Sequence, residues 1–330
     1  MLSRVAESLY WMARYIERAE NMTRAWAVNF YARLEAQPGG ELRWPGVVAL
    51  TGDEALYGEH FAEWTDAGVA EFLLWHPENP NAVASCVARA RENARSVREQ
   101  ISTEMWEHLN RLYLFLVRDA DREAVVRAPY EFFRQVREGS QAFQGITAAT
   151  MNHGEGYEFI RLGRHLERAA MTVRVLGVRY GEASRLPEGT AAASLHLMSM
   201  LKSVSAFEAF RKGQAAPLLA AAVLEFLLMS PEFPRAVRFC LERASDAVRA
   251  ISAEAVRGNG RGDRVFRTLG PIRSELEYLE IGSVLGERLS PYLEQLLARI
   301  HRAGEEIEST YFSTQVVLPG PRAQQAQQQQ

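Results

Sequence analysis

The chain has 330 residues, enough for one large helical domain or two ordinary ones. Its 38 basic and 41 acidic residues leave a net charge of −3, which lacks the basic excess of a general nucleic-acid binder. Apolar residues at 47% and charged residues at 24% fit a soluble globular protein.

Helical periodicity runs through the chain. Val5, Leu9, Met12, Ile16, Ala19 and Trp26 recur at spacings of three, four or seven and predict a first long helix. The Pro and Gly of "QPGGE", 37–41, end it. Residues 42–78 are irregular and predict short helices and loops. Asn79 and Pro80 read as an N-cap followed by proline at the first helical position. The helix after them carries Val83, Val87, Ala94, Val97 and Ile101 on one face. Further helices are predicted from near Ser102 or Thr103 and from about Pro129. "NHGEG", 152–156, reads as a turn before a second long helix reaching about Tyr180.

Helices at about 190–212, 216–229 and 234–256 follow, then a loop at 257–264 whose Arg261-Gly262-Asp263 reads as an ordinary turn. "PIRSELEYLEI" predicts the next helix, and Ser290 with Pro291 opens a last one to about Phe312. The Gln-rich tail, 316–330, has a disordered composition. No alternating run demands a sheet. The fold class is therefore all-α, an antiparallel multi-helix bundle, a single domain over 1–315 with halves near 1–150 and 151–315.

The most apolar run, "APLLAAAVLEFLLM" at 216–229, is shorter than the ~20 residues of a membrane helix and holds Pro217 and Glu225. It reads as a buried core helix, and no membrane partner is expected. Cys86 and Cys240 sit in apolar helical stretches and read as buried reduced thiols, which fits a cytoplasmic location.

One phrase returns. "WMARYIERAENMTR" at 11–24 reappears as "RLGRHLERAAMTVR" at 161–174, 150 positions later. Arg14, Glu17, Arg18 and Arg24 align with Arg164, Glu167, Arg168 and Arg174. The apolar stripe Met12, Ile16, Ala19, Thr23, Trp26 aligns with Leu162, Leu166, Ala169, Val173, Leu176. An internal duplication follows. Weaker echoes occur at 241–249 and at 88–98, where Arg89, Glu92 and Arg95 share the helix.

The charged residues lie opposite the apolar stripe at 100° per residue. Such a face is either solvated, with pairs worth only ~0.3–0.5 kcal/mol, or a buried network. Tyr10 and Trp11 flank the first copy, and Tyr157 and Ile160 the second, which favours burial. Arginine in place of lysine favours it too, since a guanidinium pairs bidentately with a carboxylate; lysine occurs only at Lys202 and Lys212.

These residues resemble the Alpha-E domain family, a bacterial all-helical family of unknown function. "LSRVAESLYWMARYIERAE" at 2–20, "ARENARSVREQISTEMWEHLN" at 90–110 and "GYEFIRLGRHLERAAMTVRVL" at 156–176 carry the resemblance, with "PEFPRAVRFCLER" at 231–243 and "IRSELEYL" at 272–279. The resemblance implies a part in an amide-ligation or peptide-tagging pathway. Its implied partners are an ATP-grasp-type ligase and transglutaminase-like or proteasome-like proteins.

Chemistry is sparse. The seven histidines form no HExxH, and no glutamate precedes a histidine by three residues. Glu104 and His108 share a helix face, a weak metal signal. No phosphate-binding GxxxxGK[ST] loop and no serine elbow occurs. No cofactor, metal or catalytic residue is expected. The candidate binding face is Arg14, Glu17, Arg18, Arg24, Arg89, Glu92, Arg95, Arg164, Glu167, Arg168 and Arg174, holding an acidic peptide or small anion. Two other readings stand beside a non-catalytic partner. One is an enzyme with Glu17 or Glu167 as general base; the other is a self-assembling helical scaffold.

Overall fold

The computed structural model describes residues 1–35, 44–213, 218–254 and 262–313, all helices, turns and loops without a strand among them. The first half holds α1 (Ser3–Glu35), α2 (Trp44–Val48), α3 (Glu54–His60), α4 (Asp66–Leu74), α5 (Val83–Ser96), α6 (Thr103–Leu114), α7 (Arg122–Arg127) and α8 (Tyr130–Thr150). The second holds α9 (Glu155–Ala183), α10 (Ala191–Ser203), α11 (Phe207–Gly213), α12 (Ala220–Met229), α13 (Val237–Glu254), α14 (Gly262–Glu277), α15 (Ile281–Val284) and α16 (Leu289–Ile307).

The two long helices α1 and α9 form the axis. Both apolar stripes are buried, from Met12 to Trp26 and from Leu162 to Leu176. The axial pair runs parallel and in register: the Met1 terminus meets Glu155, Arg14 and Arg18 meet Glu167, and Asn29 meets Arg179. Short connections make neighbouring helices antiparallel. The more than one hundred residues between α1 and α9 let the chain return to its starting end. Gly163 makes the close approach: a methyl there would collide with the Tyr10 carbonyl and sit 3.1 Å from its ring.

Antiparallel helices flank this axis as expected. α5 and α8 pack on α1, and α13 and α16 pack on α9. α6 bridges α5 and α8 as α14 bridges α13 and α16. The second half thus repeats the packing of the first. A second sequence echo accompanies it. E-F-L-L-x-x-P-E-x-P-x-A-V-x-x-C occupies 71–86 and again 225–240. Cys86 and Cys240 make the same thiol contact in each copy, to the carbonyls of Pro80 and Pro234 at 3.7 and 3.4 Å. Both are free and buried.

Several boundaries move. α5 begins at Val83, because Asn79 folds the preceding turn instead, donating to the Phe72 carbonyl and accepting from the Asn81 amide. Ser102 does cap α6, accepting from the Met105 amide. The helix expected over 190–212 breaks at Ser205, whose φ of 53° ends the helical path. α14 starts at Gly262, so Pro271 lies inside it. α16 ends at Ile307 in a π-type turn, Glu308–Phe312. The α12 core helix is buried at Val223, Leu224, Leu227 and Leu228 and leaves Glu225 outside. The breaker at 37–41, Pro217, most of the 257–264 loop and the Gln-rich tail lie outside the described residues. No described helix is long and apolar enough to cross a membrane.

Candidate functional site

The repeated face is buried between α1 and α9. Glu17 and Glu20 have no exposed surface, and Glu167 and Arg168 have almost none. Each half's glutamate reaches across to the other half's arginine. Arg168 grips Glu17 bidentately, Nε to Oε1 at 2.8 Å and Nη2 to Oε2 at 2.7 Å. Arg18 grips Glu167 in the same way, at 2.6 and 3.0 Å. Asn29 and Arg179, also equivalent in the two copies, bond each other at 3.2 Å.

The remaining donors differ between the halves. Glu167 takes a third bond from Arg14 Nε at 2.8 Å. Glu17 takes its third from Arg235 at 2.8 Å, on the loop before α13, and a fourth from Gln144 of α8 at 3.1 Å. Asn81 stands where Arg235 does in the second echo, and its Oδ1 accepts from Arg18. Arg235 therefore occupies at Glu17 the role that Arg14 plays at Glu167. That leaves Arg164, the partner of Arg14 in the repeat, without a carboxylate; its buried Nε has no acceptor. Glu20 extends the network, accepting from Arg24, Arg235 and Ser140.

Charge dominates these groups. Burial would raise the Glu17 carboxyl, but Arg168 and Arg235 outweigh it and hold the group well below the usual range. Burial also opposes ionisation of Glu167, yet Arg18 and Arg14 hold it down to about 2. Arg235 is pulled to about 10 by burial and by the neighbouring Arg24, so it stays charged at neutral pH. Arg168 moves the other way, because Glu17 outweighs its burial. His165 is pushed well below its ordinary value by burial and by Arg164 and Arg168, and is neutral.

The α1–α9 interface thus brings together Arg14, Arg18 and Glu167 in one cluster and Glu17, Arg24 and Arg168, with Glu20 and Arg235, in a second. Arg174 stands apart, donating to the Leu50 carbonyl at 3.0 Å and facing His301. Arg89, Glu92 and Arg95 do not join. Arg89 is exposed over the Tyr15 ring, and Glu92 and Arg95 pair on the surface of α5. Their stretch turns its alanines and valines inward, so its charges face solvent. Glu20, Ser140, Gln144 and Arg235 are not among the residues the sequence reading places on this face; the second echo, 71–86 with 225–240, is the signal that points to Arg235. His108 binds the Gly139 carbonyl at 2.7 Å and pairs with no metal ligand. Among the described residues no three His, Cys, Asp or Glu side chains gather as a metal site.

A separate cavity of about 430 Å³ opens between α1, α8 and α10 and reaches Arg24.

A family described as "a predicted alpha-helical domain with a conserved ER motif", Alpha-E, matches residues 1–312. Uncharacterised proteins of Mycobacterium bovis and Mycobacterium tuberculosis are 24% identical over 338 residues. The match covers 96% of this chain and 37% of each relative, so the chain spans just over a third of their length. No solved structure matches. Glu-Arg pairs stand in the buried face at 17–18 and 167–168, and the chain belongs to the Alpha-E family.

Proposed function

We propose that this chain is a non-catalytic helical component of an ATP-grasp amide-ligase system, where it binds the ligase or an acidic peptide substrate. The observation that carries this reading is the locking of Glu17 and Glu167. A general base needs a pKa near the working pH and a free lone pair. Both carboxylates sit far below that pH, with their oxygens filled by guanidinium donors. That removes the strongest support for the enzymatic alternative.

The resemblance to Alpha-E proteins supplies the ligase association, and transglutaminase-like or proteasome-like proteins are further partners it implies. In the mycobacterial relatives the matched region is one part of a longer polypeptide, which fits a component working beside other protein. The two buried free thiols fit a reducing cytoplasm.

The test is association of the purified chain with an ATP-grasp-type ligase from the same organism. Co-elution and a calorimetric Kd in the micromolar range are expected. Absence of association at that concentration would sink the reading. A monomer by analytical ultracentrifugation would remove the scaffold alternative. We also infer an internal duplication into halves near 1–150 and 151–315; separately expressed halves should co-purify, and halves that ignore each other would refute it.

A further inference from the structure

We propose that the cavity between α1, α8 and α10 is a binding site for an acidic peptide bearing an apolar side chain. The site is apart from the buried network and touches it only at Arg24. It rests on the reading above and deepens it by locating the acidic-peptide site and adding an apolar side chain to the ligand.

The cavity, about 430 Å³, lies in the size range that takes a dipeptide-sized ligand. Phe133, Tyr31 and Met198 give it apolar walls. Three helices each contribute a cation: Arg24 from α1, Arg137 from α8 and Lys202 from α10. Arg24 is almost fully buried, whereas Arg137 and Lys202 are exposed, so positive charge runs from the mouth inward.

These cations are not equally engaged. Arg24 is held by Glu20 and Asn21. Arg134, also on the wall, is held by Glu131 and Glu138. Arg137 and Lys202 make no ion pair among the described residues, and Lys202 rests only on the Phe207 ring at 5.7 Å. One exposed carboxylate, Glu208, shares the lining. Deeper in, the network itself carries five arginines against three glutamates, so it adds positive field.

Ser205 lines the cavity at the C-terminus of α10, where its positive φ closes the helix: its amide donates to the Lys202 carbonyl and the Ala206 amide to the Leu201 carbonyl. The cations are spread around apolar walls and not gathered at one point. That spacing suits carboxylates carried on a peptide with an apolar side chain better than a compact phosphate.

The test is titration calorimetry on the full chain alone, so it is independent of ligase association. The probes are N-acetyl-Phe-Glu, its uncharged analogue N-acetyl-Phe-Gln-amide, and inorganic phosphate. The acidic peptide is expected to bind, with the uncharged analogue at least about tenfold weaker and phosphate no better than that. Arg137→Ala and Lys202→Ala should each weaken the acidic peptide roughly fivefold, and Arg249→Ala, outside the cavity lining and paired with Asp246, should not. Because Arg137 and Lys202 are exposed, both variants should unfold like the wild type. No binding of the acidic peptide up to about 10 mM would overturn the proposal. So would equal binding of the uncharged analogue, binding unaffected by the Arg137→Ala/Lys202→Ala double change, or phosphate binding as tightly as the peptide.

Discussion

Replacing Glu17 with alanine is the sharpest test of the buried network. The carboxylate has no exposed surface and accepts from Arg168 twice, from Arg235 and from Gln144. Its removal leaves Arg168 buried without its countercharge and Arg235 with Glu20 alone. Breaking a buried ion pair on one side costs roughly 3–5 kcal/mol. Unfolding entropy of about 2 cal/mol/K per residue over ~300 ordered residues makes one degree of midpoint worth ~0.6 kcal/mol. The expected fall in Tm is therefore about 5–8 °C, read by scanning calorimetry. Glu167→Ala should fall by a similar or slightly smaller amount, because Arg18 and Arg14 retain some solvent contact. Glu92→Ala is the control. It breaks the exposed pair with Arg95, worth well under ~1 kcal/mol, and should move Tm by about a degree at most. A Glu17→Ala midpoint within about two degrees of wild type, or equal to that of Glu92→Ala, would refute the argument.

Acid should unfold the protein through the same groups. The folded-state pKa values of Glu17 and Glu167 lie below their unfolded values, so their stabilisation is complete above the unfolded carboxylate value of ~4.3. It is lost as pH falls through the window below that. Tm should fall steeply between about pH 4.5 and 2, and less steeply in Glu167→Gln, whose side chain cannot titrate; equal slopes would contradict the assignment. Gly163→Ala should destabilise by roughly 1–3 kcal/mol or more through overpacking against Tyr10, whereas Gly145→Ala, with open space around it, should not. Burial pushes both thiols up to about 12, so neither Cys86 nor Cys240 should react with a disulfide reagent until the chain unfolds. Rapid native labelling of either would show the core to be open there.

The repeated phrase marked the two long helices and the buried face of each. It did not mark their pairing: an amphipathic pattern fixes which face is covered and not by which helix, and the parallel axial pair departs from the antiparallel neighbours expected. Arginine without lysine on those faces pointed to paired burial. What the pattern showed only in part was the third shell of donors. Ser140 falls on the α8 stripe of Phe133, Val136, Phe143 and Thr147, so its inward side was readable, whereas Gln144 lies beside that stripe and no periodicity marks it. Arg89, Glu92 and Arg95 share the Arg/Glu spacing of the axial copies but stand on a helix with one apolar face. Composition alone does not separate the two cases. The cavity was invisible for another reason: its cations come from three helices distant in sequence, and only the fold brings them together.

The crossed pairing also explains why charge is buried at the axis at all. A parallel pair of helices packed through Leu, Ile and Ala alone can slip by a turn at modest cost. Here a slip of α9 against α1 would unmate Glu17 from Arg168 and Glu167 from Arg18 together, and Asn29 from Arg179 farther along. Each unmated group would remain in a dry environment, where an unpaired charge costs far more than a lost apolar contact. The two ER pairs therefore act as a register lock, in the way a buried polar residue fixes the register of a coiled coil. The halves are not identical in this. Arg235 replaces the donor that Arg164 would have supplied, and it comes from the loop leading into α13. The second half's lock thus depends on α13 being docked, whereas Glu167 draws both of its arginines from α1. Arg235→Met should loosen the docking of α13 and spare the Arg18–Glu167 pair. Hydrogen exchange would show faster opening in α13 than in the matching turns of α5, and equal protection in both helices would contradict the asymmetry.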